Sequence, residues 1–172
     1  MKTKELTVMA LFVGIGAALH ALVPGFGAGG MKPDFSLLMM FLAIILFPNI
    51  KHVLIVGLAT SIISGLTTTF PGGFLPNVID KFTTALVFYG LILLIKKYQS
   101  MIGYAILTAA GTIVSGTVFL VSAYFLVGLP GAFTLLFGTI VIPAAILNTV
   151  AFFIVYPVVI KIAKRSKISF AN

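Results

Sequence analysis

Between Ile102 and Val127 the chain carries no charged residue, and comparable apolar runs cover Leu6–Val23, Phe35–Phe47, Val53–Leu66, Val78–Ile95 and Leu135–Ile162. A membrane helix needs about 20 apolar residues, with roughly 17 to 25 tolerated. The runs therefore predict an all-α integral membrane protein: one domain over residues 1–172, with six transmembrane helices at about 6–23, 35–47, 53–66, 78–95, 102–127 and 135–162. The second and third runs are short, and extend into their flanks or sit in locally thinned bilayer. Only 8% of residues are charged and 60% are hydrophobic, which excludes a soluble globular domain.

The few charges set an orientation. Six spans put both termini on one side, together with the loops at 48–52 and 96–100. That side carries Lys2, Lys4, Lys51, Lys96, Lys97, Lys161, Lys164, Arg165 and Lys167, nine of the eleven Lys and Arg residues. The positive-inside rule makes it cytoplasmic. The basic N-terminus resembles a signal peptide in its first residues, but no cleavage site and polar mature domain follow, so it reads as the first membrane helix. The bases lie at helix ends and no RNP, zinc-finger or helix-turn-helix pattern occurs, which argues against nucleic acid.

The outward connections contain GFGAGGMKPD, TTTFPGGFLPN and GLPGAFT, rich in Gly, Pro and Thr. Loops of this composition either fold back over a shallow cavity or serve as plain connectors. The stretch Phe70 to Lys81, FPGGFLPNVIDK, is the most unusual. Its prolines and glycines predict a turn, with Asp80 capping the helix that follows.

Lys32, Asp34, Asp80 and Lys81 are the charges expected on the outward side. Two bases and two acids suit a zwitterionic ligand, a lysine for its carboxylate and an aspartate for its ammonium. Mutual salt bridging between loops is the alternative. Asn148, about ten residues into the last span, must face the bundle, either for interhelical hydrogen bonding or as the floor of a cavity. Pro143 should kink that helix. Asn77 and the aromatic side chains Phe70, Phe74 and Tyr124 could add an amide and a π-rich surface; His20 reads as a packing or interface residue that could also hydrogen-bond a ligand. In the first span Ala10, Gly14 and Ala18 form a ladder of small residues that admits another helix closely, within the bundle or on a partner.

Enzyme signatures are missing. The chain has no Walker loop and no HExxH, and with three acids, two histidines and no cysteine a metal or two-carboxylate site is hardly possible. No cofactor is expected, and the chain alone cannot hydrolyse ATP.

The blocks MKTKELTVMALFVGIGAALH, GGMKPDFSLLMMF, FPGGFLPNVIDK, VGLPG and IPAAILNT resemble the TrpP family of tryptophan transporters, over nearly the whole chain. That family is in turn similar to the substrate-binding (S) components of energy-coupling factor (ECF) transporters. The resemblance implies a six-helix capture subunit in the cell membrane, binding tryptophan or a related aromatic molecule from outside. It also implies docking on a coupling protein with two ATPases, through small residues of the first span such as Ala10, Gly14 and Ala18. By position it makes Asn77, Asp80, Lys81 and Asn148 pocket candidates, beside Lys32, Asp34, Phe70 and Phe74. Two other readings stay open: a solitary secondary transporter, disfavoured by the scarcity of embedded acids, and a membrane assembly subunit without transport, disfavoured by the elaborate loops.

Overall fold

The computed structural model describes residues 3–23, 33–95 and 100–165. Among them lie six helices: α1 (Thr3–Leu22), α2 (Phe35–Leu46), α3 (Ile50–Leu66), α4 (Phe74–Leu94), α5 (Met101–Leu126) and α6 (Phe133–Arg165), the last α-helical except for a π turn at Phe137–Val141. Four of them, α1, α4, α5 and α6, are long and apolar enough to cross a membrane, while α2 and α3 are shorter apolar helices.

Polarity is arranged inside out relative to a water-soluble fold. Leu11, Ile102, Ile106, Phe125, Ile146 and Ile154 face outward, whereas Thr60, Ser61, Thr84, Thr108, Thr112, Ser115 and Asn148 are buried. Hydrocarbon gives the apolar side chains no reason to hide, and it makes polar groups seek one another in the interior.

The shortest helix is the central one. Almost every residue of α2 is buried, with α1 and α3 to α6 around it. Small residues bring these helices close. A Cβ on Gly16 of α1 would meet Met39 Cβ at 3.0 Å, and one on Gly57 of α3 would meet Ala85 Cβ at 2.8 Å. Phe41 of α2 stacks on Phe88 of α4 with ring centroids 3.9 Å apart and planes at 11°. Gly111 of α5 lies against both rings, 2.7 Å from Phe41 Cζ at its Cβ position. Any side chain there would drive this aromatic pair apart.

Two ends can be distinguished. At the terminal end, His52 Nε2 in the first turn of α3 lies 3.2 Å from Glu5 Oε2 in the first turn of α1. At the distal end, the turn at 67–73 meets the loop at 127–131: Gly72, with φ 70°, packs so closely that its Cβ would lie 2.7 Å from Val127 Cγ1.

Two local expectations are corrected. The helix after the PGG turn begins at Phe74, not Val78, and Asp80 lies well inside it rather than at its cap. Pro76 is tolerated because it occupies the first turn, where a missing N–H costs nothing. In α6 the disturbance around Pro143 takes the form of the π turn just before it. That turn lies against α5, where a Cβ on Gly116 would meet Val141 Cγ1 at 2.6 Å.

Candidate functional site

Because α2 is short, its first residues begin well below the distal ends of its neighbours. Lys81 lies seven residues into α4 and Ser115 eleven residues before the end of α5. At 1.5 Å per residue these depths are about 10 and 16 Å. Asp34, which caps α2 by accepting from the Leu37 N–H at 3.0 Å, therefore meets Lys81 of α4 and Asn148 of α6 below the distal surface.

The result is a continuous polar cluster with Lys81 at its hub. The Lys81 ammonium lies 2.7 Å from Asp34 Oδ2 and 2.8 Å from Asp80 Oδ2. Its third hydrogen bond is donated to Ser115 Oγ at 3.2 Å. Asp80 also accepts from Ser115 Oγ at 3.0 Å and from Thr84 Oγ1 at 3.0 Å. Asn148 of α6 completes the cluster: its Oδ1 accepts the Asp34 N–H at 2.7 Å, and its Nδ2 donates to Thr112 Oγ1 at 3.2 Å. The Thr112 hydroxyl in turn donates a hydrogen bond to the Thr108 carbonyl at 2.8 Å.

Burial divides the cluster. Asp80 and Asn148 are fully buried and Lys81 nearly so, while the Asp34 side chain keeps 23% of its surface exposed. His20 Nδ1 of α1 lies 3.6 Å from Asp34 Oδ1. Two carboxyl groups face one ammonium among the described residues. The more accessible of the two is Asp34. Such a site can receive a cationic group at Asp34 while Lys81 turns to an incoming anion, an exchange of partners that leaves no charge unpaired.

Of the residues singled out in the sequence, Asp34, Asp80, Lys81 and Asn148 are brought together. Asn77 is not part of the cluster; its Nδ2 donates to the Gly73 carbonyl at 2.8 Å, tying down the start of α4. Phe74 is half exposed and packs on Gly65. Phe70 lies edge-on to Phe119 of α5, centroids 5.3 Å apart. Tyr124 faces outward beside Phe125. Lys32 lies outside the described residues. Ala10, Gly14 and Ala18 form an exposed line on α1, and a Cβ on Gly14 would meet nothing within 4 Å.

Sequence reasoning missed Thr84, Thr112 and Ser115, and read His20 as a packing or interface residue that could also hydrogen-bond a ligand. A signal was present. Thr108, Thr112 and Ser115 recur at helical spacing on one face of an uncharged span, and Thr84 follows Asp80 by one turn.

An apolar exterior, helices of membrane-spanning length and a polar cluster enclosed in the bundle define a multi-pass membrane protein. The family described as Tryptophan transporter TrpP matches residues 2–164. A Bacillus subtilis (strain 168) protein named "probable tryptophan transport protein" is 55% identical over 166 residues, covering 96% of each chain. A protein of the same name from Clostridium perfringens (strain 13 / Type A) is 42% identical over 176 residues, again 96% of each. No solved structure matches the chain. The chain belongs to the TrpP family. Its relatives are transport proteins by name, and it is not an enzyme.

Proposed function

We propose that this protein captures tryptophan at the distal end of the bundle and carries it into the cell as a single six-helix membrane domain with both termini cytoplasmic. The observation that carries the reading is the Asp34–Lys81–Asp80 cluster, which offers paired charges of both signs inside a membrane protein, where charge is costly unless it has a task. The substrate's ammonium goes to Asp34 and its carboxylate to Lys81, with Lys32 a further candidate for the carboxylate. Asn148 holds Asp34 in register with α5 and α6. The orientation is supported by the nine bases at the terminal end and its loops.

In this reading the chain is an S component, and the exposed line of Ala10, Gly14 and Ala18 receives the coupling protein of an ECF module with two ATPases. The open space over Gly14 supports that role. A secondary carrier is the competing reading, favoured by one observation: Asp80 is a fully buried acid inside a membrane helix. Its full set of donors makes it a fixed counter-ion rather than a shuttle. Co-purification with an ATPase pair separates the two readings.

The test is binding by the purified protein alone. The chain contains no tryptophan, so a change in the ligand's indole emission on binding is read without protein tryptophan emission. Saturable binding of tryptophan, displaced poorly by tyrosine, phenylalanine or nicotinate, is the expected result. Absence of saturable binding would end the proposal.

A further inference from the structure

Asp34 has one polar neighbour outside the hydrogen-bonded cluster. His20 stands in the last turn of α1, one helical turn beyond Gly16 on the same face. Gly16 sets that face against the start of α2: its Cβ position lies 3.1 Å from the Phe35 carbonyl oxygen. The next turn therefore carries His20 to Asp34, where Nδ1 lies 3.6 Å from Oδ1. That separation is too long for a hydrogen bond. Oδ1 takes the Leu37 N–H and has a lone pair left for another donor, while Lys81 holds the other oxygen, Oδ2. His20 and Asp34 keep 26% and 23% of their side-chain surface exposed, against 5% for Lys81 and 1% for Asp80. The gap between imidazole and Oδ1 is the accessible edge of the cluster.

We propose that His20 shares the ligand's ammonium with Asp34 as a second acceptor, and that a protonated His20 competes with the ligand for Asp34. The inference rests on the reading of the charge cluster as the head-group site. An ammonium presents three donors from one nitrogen. Placed about 2.8 Å from each acceptor, that nitrogen bridges two atoms 3.6 Å apart. Neutral imidazole with its proton on Nε2 leaves Nδ1 free to accept. Imidazole changes charge between about pH 5 and 8. Once protonated it has two N–H donors and no lone pair, so it turns to Oδ1 itself and repels the ammonium. Among the described residues, the charged groups facing His20 are Asp34 and, behind it, Lys81 and Asp80. α1 also packs on α3, whose ionisable side chains, Lys51 and His52, lie in its first turn at the terminal end. Lys4 and Glu5 stand at the start of α1, far from its last turn.

The test follows dissociation constants of the full-length protein from about pH 7 down to about pH 5.5, a window in which the ligand's ammonium and carboxylate stay charged. Wild type is expected to lose tryptophan affinity by about fivefold or more on acidification, as His20 charges. Indole-3-propionate, which has no ammonium, should show no such loss. His20→Gln keeps an acceptor without an ionisable ring; its profile should be flat, with affinity at pH 7 within about threefold of wild type. His20→Ala should also be flat, and about tenfold weaker at pH 7, the scale of one hydrogen bond to a charged group. His52→Gln, at the other end of the bundle, should keep the wild-type slope. Melting temperatures identify any misfolded variant, and the comparison of the two ligands on wild type needs no variant at all. If wild type binds tryptophan but His20→Gln keeps the same slope, or both ligands weaken alike, the role of His20 is overturned while the head-group site stands. If wild type binds no tryptophan, the head-group reading fails and the role of His20 falls with it.

Discussion

Lys81→Met is expected to destabilise the protein by about 3–5 kcal/mol, the usual cost of removing one partner from a buried ion cluster. The substitution leaves the Asp34 and Asp80 carboxyls with no cation between them, and Asp80 has no solvent to turn to. Ser115 loses a donor at the same time. The double variant Lys81→Met/Asp80→Asn returns the cluster to the wild-type excess of one carboxyl, and should recover more than half of the loss. Thermal melting in detergent reads both. A single variant that melts like wild type would mean that the Lys81 contacts contribute nothing to the fold.

Asp34→Asn should separate binding from stability. Asparagine caps a helix as well as aspartate does, so the bond from the Leu37 N–H survives. Lys81 keeps Asp80 at 2.8 Å, and the remaining pair is balanced. The folded state therefore loses little. The ligand's ammonium loses its counter-charge, and truncating one partner of a buried charge pair costs about 2–5 kcal/mol. Tryptophan affinity should fall on the order of 100-fold or more, with the melting temperature nearly unchanged. A variant that melts far lower yet binds tryptophan normally would make Asp34 a structural residue.

How much of this was legible in the chain differs from feature to feature. The helices were plain, because twenty or so apolar residues have few other uses. The start of α4 was misplaced because Pro76 reads as a breaker, yet in a first turn a proline breaks nothing. The four charges read as lying on the outward side. Asp34 and Lys81 instead meet deep in the bundle because α2 has only 12 residues, and a run that short signals its length but not its central position. Ser115 and Thr112 passed unnoticed since hydroxyls in membrane helices usually bond their own preceding turn, as Thr108 and Thr117 do here. The three-dimensional crossing of α4 with α5 gives Ser115 a different partner. Residue types alone suggest a zwitterion site. Asp34, Asp80 and Lys81 do lie together, in a closed network with partners already satisfied, so capture requires an exchange of those partners.

The most direct measurement leaves the protein untouched and edits the ligand. Dissociation constants would be compared for tryptophan, for tryptamine, which lacks the carboxylate, and for indole-3-propionate, which lacks the ammonium. A cluster with two carboxyls to one ammonium, the more accessible carboxyl being Asp34, predicts that both analogues bind more weakly than tryptophan and that indole-3-propionate is the weaker of the two. Indole-3-propionate binding as tightly as tryptophan would contradict the assignment of the Asp34–Lys81–Asp80 cluster as the head-group site.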